Sequence, residues 1–136
     1  MQGKNIQIPN GQALLICGPQ GCGKTLLARA IAQQYGPFQQ TYVDVIRSPE
    51  AIERAMREGI KTLIVEECDA EYLRCQLPAH LKAAITAERI PVKLDGKVVT
   101  MEVPPNFIFC TGEVNALNLS SDDRRFFVVD MASAKH

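Results

Sequence analysis

The chain has 136 residues, which is the size of one domain with a single hydrophobic core. Its 15 basic and 15 acidic residues cancel, so any contact with a polyanion must come from a local patch and not from the overall charge. The chain has five cysteines, an odd number, and no Cys-x-x-Cys pair, which argues against a disulfide framework or a zinc site. We therefore expect reduced thiols in a cytoplasmic protein. No apolar run resembles a signal peptide or reaches the ~18 residues of a membrane span, so we expect no membrane partner.

Short apolar segments alternate with helical patterns along the chain, and this alternation predicts an α/β domain with a central parallel sheet between layers of helices. Most of the apolar segments lack polar alternation, as expected for strands that are buried on both faces. Helices are predicted directly after residue 25, from the cap at Ser48 to the stop at Gly59, and over about residues 78–87. The five predicted strands cover residues 13–17, 41–45, 62–67, 106–111 and 125–131.

Residues 18–25 spell "GPQGCGKT", the pattern G-x-x-x-x-G-K-T of a loop that wraps the phosphates of a nucleoside triphosphate. Glycines let successive backbone N–H groups converge on the anion, Lys24 would reach the β- and γ-phosphates, and the Thr25 hydroxyl would ligate magnesium. A predicted strand precedes the loop and a predicted helix follows it, which is the context that the motif requires. The sequence therefore predicts a site for ATP and Mg²⁺. The predicted nucleotide-binding residues are Gly18, Pro19, Gln20, Gly21, Cys22, Gly23, Lys24, Thr25 and Leu26.

Two adjacent carboxylates, Glu66 and Glu67, end the third predicted strand. If this strand lies beside the first one, both carboxylates stand near the phosphates. Glu66 would then orient Mg²⁺, through water, and Glu67 would activate the attacking water as a general base. The alternative is that the two carboxylates belong to a solvated turn. That alternative does not explain why two acids follow directly after four apolar residues.

Two arginines, Arg124 and Arg125, stand just before the fifth predicted strand. One of them could reach the γ-phosphate of ATP bound to a neighbouring subunit and act as an arginine finger. They could equally pair with Asp122 and Asp123 in a surface cluster, and the spacing does not decide between these alternatives.

A hairpin is predicted over residues 90–105, because Asp95-Gly96 stands between two extended arms. Lys93 and Lys97 lie at or near its turn. They could contact the phosphates of single-stranded DNA without reading its sequence, or they could simply be solvated charges at a hairpin tip.

In this order, the segments resemble the ATPase core of the superfamily-three helicases within the AAA+ class, especially those fused to primases of phages and plasmids. The resemblance covers about residues 11–131 and includes "GPQGCGKT", "LIVEE", the sensor segment "PPNFIFCTGEVN" and the arginine-finger segment "DDRRFFVVDM". It implies a three-layer P-loop NTPase fold of the ASCE type, with strand order 5-1-4-3-2 and a β-hairpin before strand 4. It also implies a sensor at Thr111 or Asn115, although Gly112 and Glu113 stand between them.

The resemblance further implies Mg²⁺-dependent ATP hydrolysis coupled to translocation along, or unwinding of, single-stranded DNA in phage- or plasmid-type replication. The implied partners are single-stranded DNA, further copies in a ring that is hexameric by analogy, and a primase or another replication protein. We expect residues 1–136 to form one P-loop ATPase domain without a C-terminal helical lid. Two other functions stay open, a non-catalytic ATP-binding adaptor of a replication complex and a small P-loop kinase, for which residues 48–60 offer only an ordinary amphipathic helix.

Overall fold

The computed structural model describes residues 6–69, 71–86, 90–101, 105–112 and 125–131. In these ranges the strands are β1 (Ala13–Cys17), β2 (Phe38–Tyr42), β3 (Thr62–Cys68), β4 (Ile90–Leu94), β5 (Lys97–Met101), β6 (Asn106–Thr111) and β7 (Phe126–Asp130). The α-helices are α1 (Lys24–Gln33), α2 (Val43–Ile46), α3 (Pro49–Arg57) and α4 (Ala79–Thr86), and a π-helical turn covers Tyr72–Gln76. Within the described ranges we find no helix with the length and apolar character that crossing a membrane requires.

Five of the strands form one parallel sheet in the order β2-β3-β6-β1-β7. Counting only these five strands in chain order, and starting from β7, the order reads 5-1-4-3-2. Strands β4 and β5 do not join this sheet and form a separate antiparallel pair. Because the five strands are parallel, their carboxyl ends meet at one edge, where the loop after β1 and the ends of β3 and β6 come together.

Both faces of the sheet are covered, which explains the unbroken apolar runs in its central strands. Leu14 and Ile16 of β1 belong to a buried cluster with Ile31 of α1. Leu15, between them, belongs to a second buried cluster with Leu81 of α4 on the other face. The predicted α/β fold with a parallel five-stranded sheet is thereby confirmed.

The predicted bounds of the second strand, residues 41–45, are wrong. The strand β2 covers Phe38–Tyr42, and Val43–Ile46 form the short helix α2. The β-branched residues at 41, 43 and 45 alternate as in a strand, which led to the wrong bounds. The observed strand lies at the edge of the sheet, and its exposed Gln39 and Gln40 lack the apolar character by which a buried strand is predicted. The fifth strand is shorter by one residue at each end than predicted, and the π-helical turn was not predicted.

The hairpin of β4 and β5 has the two-residue turn that its sequence predicts. Leu94 pairs with Lys97, and the turn residues Asp95 and Gly96 have φ values of 54 and 79. Positive φ at both central positions is the requirement of a type I′ turn, and it explains why Asp-Gly occupies them. Lys93 and Lys97 are both exposed beside this turn.

Candidate nucleotide-binding site

The phosphate loop joins the carboxyl end of β1 to the start of α1. Gly21 and Gly23 have φ values of 82 and 94, and a Cβ atom at either position would meet open space. The backbone conformation, and not a shortage of room, therefore requires glycine at both positions. The first N–H groups of α1 have no partners within the helix, so they are available to an anion at this end.

Lys24, the first residue of α1, folds back onto the loop. Its Nζ donates hydrogen bonds to the carbonyl oxygens of Gly18 at 3.0 Å and of Pro19 at 3.2 Å. The loop thus holds a positive charge at the place where the motif would bind the β- and γ-phosphates.

A cavity of about 500 Å³ opens beside the loop. Its lining includes the loop and the start of α1 (Gln20, Gly21, Gly23, Lys24, Thr25 and Leu26) together with Glu66, Glu67, Cys110 and Gly112. Leu26, which is 72% exposed, adds an apolar surface to this lining. The sheet order brings the loop and the acidic pair together, because only β6 separates β1 from β3.

Glu66 and Thr25 face each other across this cavity. The Thr25 hydroxyl lies 3.1 Å from Glu66 Oε1 and 3.3 Å from Oε2, and it donates its proton to this carboxylate. The hydroxyl oxygen keeps its lone pairs, and oxygen donors of this kind are the ligands that Mg²⁺ prefers. Among the described residues, no group of three His, Cys, Asp or Glu side chains could hold a metal ion alone. This donor set fits Mg²⁺, which takes few protein ligands and fills its shell with phosphate oxygens and water.

Glu67 reaches the same cavity as Glu66, although consecutive residues of a regular strand point to opposite faces. The register of β3 against β6 shifts between Val65, opposite Phe109, and Cys68, opposite Thr111, so β3 carries one extra residue there. Glu67 has a φ of 57, which is the left-handed region that favours glycine. The bulge and this backbone conformation together let both carboxylates line one cavity.

Glu67→Gly should raise the free energy of unfolding by about 1 kcal/mol, because glycine adopts the left-handed region without the steric cost that a Cβ atom brings. Urea denaturation measures the change. Glu58→Gly is the matched control, since Glu58 is also exposed but has a φ of −85, and glycine there should destabilise the fold. A loss of stability in both variants would show that Glu67 is not strained.

The residues predicted as sensors lie at and beyond the end of β6. Thr111 is buried, and its backbone oxygen accepts a hydrogen bond from the Gly18 N–H at 3.3 Å, which ties β6 to the start of the phosphate loop. Gly112, the next residue, lines the cavity. Asn115 lies outside the described residues.

Arg125 lies at the amino end of β7. Its carbonyl oxygen accepts a hydrogen bond from the Ala13 N–H at 2.6 Å, and Ala13 begins β1. The phosphate loop lies at the other end of β1, roughly 16 Å away along the strand at 3.3 Å per residue. Within one chain, Arg125 and the phosphate loop are therefore at opposite edges of the sheet. Arg124 and its acidic neighbours lie outside the described residues.

Three features of the site were not predicted from the sequence. Gln40 and Arg29 form hydrogen bonds that lead to Glu66, and Cys110 lines the cavity from within an apolar strand. Burial, with a smaller contribution from the nearby Glu66, raises the pKa of the Cys110 thiol to about 12, while Lys24 opposes the shift. Burial likewise raises the pKa of the Cys68 and Cys17 thiols. These thiols stay protonated near neutral pH, so they contribute packing and not nucleophilic chemistry.

A protein-family model described as ABC transporter matches residues 1–89, which contain the phosphate loop and the acidic pair. ATPase family gene 2 protein homolog A of Homo sapiens is 43% identical over 51 residues, which are 38% of this chain and 5% of the relative. The probable inactive ATP-dependent zinc metalloprotease FTSHI 2, chloroplastic, of Arabidopsis thaliana is 36% identical over 78 residues, covering 49% of this chain and 9% of the relative. Each match is therefore to a small part of a much longer protein.

Two solved structures, both apo A forms of the NrS-1 C-terminal region, share the fold. Their TM-scores are 0.58 and 0.57, with sequence identities of 23% and 21%. The superposed parts cover 89% and 88% of this chain but only 29% and 28% of those chains. At these identities the likeness establishes the fold alone.

Proposed function

The chain belongs to the ABC transporter family of P-loop ATPases, and we propose that it hydrolyses ATP with Mg²⁺ to move along or unwind single-stranded DNA in phage- or plasmid-type replication. The ATPase part rests on one observation. The ammonium group of Lys24, the Thr25 hydroxyl held by Glu66, and the exposed carboxylate of Glu67 all line a single cavity beside a phosphate loop.

The proposed mechanism assigns one task to each of these groups. Lys24 would leave the two loop carbonyls and donate to the β- and γ-phosphates, compensating their charge. Thr25 and Glu66 would hold Mg²⁺, which when bound neutralises charge on the phosphates. Glu67 would accept a proton from the attacking water, since it is exposed and lines the same cavity as Lys24 and Thr25. Thr111 and Asn115 remain the proposed sensors of the γ-phosphate.

The position of Arg125 supports a shared active site between copies of the chain. An arginine at the amino end of the parallel strands is too far from the loop at the carboxyl end in its own chain, whereas in a ring it could face the loop of a neighbour. We therefore propose that Arg125, with Arg124 as the alternative, is a finger supplied in trans within a homo-oligomeric ring, which is six-membered by analogy with the superfamily-three helicases.

The proposed contact with single-stranded DNA rests on the hairpin. Lys93 and Lys97 are both exposed near one two-residue turn. Lys93 pairs with Val98 and Lys97 with Leu94, so the two side chains start from opposite faces of the hairpin. A pair of cations at such a tip suits the phosphate backbone of a strand threaded past it, without sequence preference.

Replacing Lys93 and Lys97 together with alanine should weaken binding of single-stranded DNA and make its salt dependence shallower by about two phosphate contacts, while ATP hydrolysis without DNA stays unchanged. Fluorescence anisotropy of an oligonucleotide at several salt concentrations measures both quantities. The double change of the exposed Lys61 and Lys82 to alanine is the control with the same loss of charge. Equal salt slopes in wild type and the hairpin variant would contradict the DNA contact.

The alternative function of a small P-loop kinase has no support from the described cavities. A kinase needs room for an acceptor beside β2 and β3, and the described cavity there has a volume of only about 40 Å³, far below the roughly 300 Å³ of the smallest ordinary ligand pockets. The other alternative, a non-catalytic adaptor, would bind ATP without hydrolysing it. A measured rate of ATP hydrolysis therefore distinguishes the adaptor from the proposed ATPase.

A further inference from the structure

Gln40 and Arg29 lie beside Glu66, one of the proposed Mg²⁺-holding residues, but take no part in the mechanism above. Gln40 Nε2 donates a hydrogen bond to Glu66 Oε2 at 2.9 Å. Gln40 Oε1 accepts from Arg29 Nε at 3.2 Å and also from Arg29 Nη2. We infer that Gln40, held by Arg29, is a positioning residue that keeps the Glu66 carboxylate against Thr25 and thereby strengthens Mg²⁺ binding with nucleotide. The inference deepens the proposed function and rests on it.

The hydrogen-bonding capacities of the three side chains allow only one orientation of the Gln40 amide. A guanidinium group can only donate, so the amide oxygen must face Arg29. An ionised carboxylate can only accept, so the amide N–H must face Glu66. Arg29 thus fixes the amide in the orientation that presents a donor to the carboxylate.

The sheet register places these groups on the same face. Gln40 pairs with Ile64, which belongs to the buried cluster on the α1 side of the sheet, and Glu66 lies two residues further along that face. Thr25 and Arg29 are four residues apart in α1, so they occupy one side of that helix. The contact therefore follows from the register of β2 on β3 and the packing of α1, and it joins three elements at one carboxylate.

Glu66 needs such support more than a shorter acid would. Its side chain has one more rotatable bond than aspartate, so an unrestrained carboxylate would spend part of its time away from Thr25. Thr25 holds both oxygens from one side, and Gln40 donates to Oε2 from the other. Groups that orient a metal site in this indirect way typically change metal affinity by about 10- to 100-fold when they are removed. Because Gln40 is exposed, we expect an effect at the lower end, about 10-fold.

The test is ATP affinity measured by calorimetry in Mg²⁺ and again in EDTA, because this ratio reports metal binding without requiring turnover. In Gln40→Leu and in Gln40→Met, the affinity in Mg²⁺ should fall by about 10-fold while the affinity in EDTA stays as in wild type. Gln40→Met keeps an unbranched side chain of similar length and adds no charge, so it removes the donor with little change in packing. Arg29→Met should shift the ratio in the same direction by a smaller factor.

Gln39→Leu is the matched control, because Gln39 is an exposed neighbour on the same strand that pairs with Leu63 of the opposite core. It should leave both affinities unchanged. The inference would be overturned if Mg²⁺ raised the ATP affinity of Gln40→Leu and Gln40→Met as much as it does in wild type, or if both variants lost affinity equally in Mg²⁺ and in EDTA. The proposed function fails separately, if the wild-type chain itself binds no ATP under either condition.

Discussion

Glu67→Gln should lower the rate of ATP hydrolysis by about 100-fold or more while ATP binds as in wild type. Glutamine keeps the shape of the side chain but cannot accept a proton from the attacking water. The side chain is exposed to the cavity, so the substitution creates no buried unpaired group and the fold should be unaffected. Steady-state hydrolysis gives kcat and KM, and calorimetry gives the ATP affinity independently.

Two further variants make this result specific. Glu58→Gln changes an exposed glutamate outside the cavity and should hydrolyse ATP at the wild-type rate. Glu66→Gln should mainly raise the Mg²⁺ concentration that hydrolysis requires, because Glu66 contacts the Thr25 hydroxyl. Identical behaviour of the Glu66 and Glu67 variants would contradict the separate roles of the two carboxylates.

Lys24→Ala should abolish detectable ATP binding, which corresponds to a loss of affinity of about 100-fold or more for a charge-assisted contact to phosphate. The ammonium group is the cation that the loop holds at its own carbonyls, 3.0 Å from that of Gly18. Removing it leaves the phosphates facing the acidic pair without this compensating charge. Calorimetric titration with ATP measures the loss.

Lys61→Ala is the control for this substitution, since Lys61 is exposed and lies outside the cavity lining. Its ATP affinity should equal that of wild type. If Lys24→Ala binds ATP with wild-type affinity, the phosphate loop is not the nucleotide site, and the proposed function is wrong.

Features that depend on neighbouring residues in the chain could be predicted from the sequence. The phosphate loop follows from its glycines and Lys24, and β1 follows from five consecutive buried apolar residues. The type I′ hairpin turn follows from Asp95-Gly96, because few other pairs tolerate positive φ at both positions. Each of these elements has a local physical cause.

Features that depend on how strands pair could not be predicted in this way. The edge strand β2 carries the exposed Gln39 and Gln40, so its pattern looks like a loop until β3 pairs with it. The bulge that turns Glu67 into the cavity exists only in the register of β3 against β6. The contact of Gln40 with Glu66 requires that same sheet together with the rotation of α1, and nothing in either segment alone indicates it.

The central claim is that ATP hydrolysis occurs at sites shared between copies of the chain. The most direct test is the rate of ATP hydrolysis per chain, measured against protein concentration with and without single-stranded DNA. We predict that the rate per chain rises steeply with concentration, because in our proposal Arg125 acts on a neighbour's phosphate loop, and that single-stranded DNA raises it further. A rate per chain that is near zero at every concentration, with ATP still bound, would contradict the account and favour an ATP-binding adaptor.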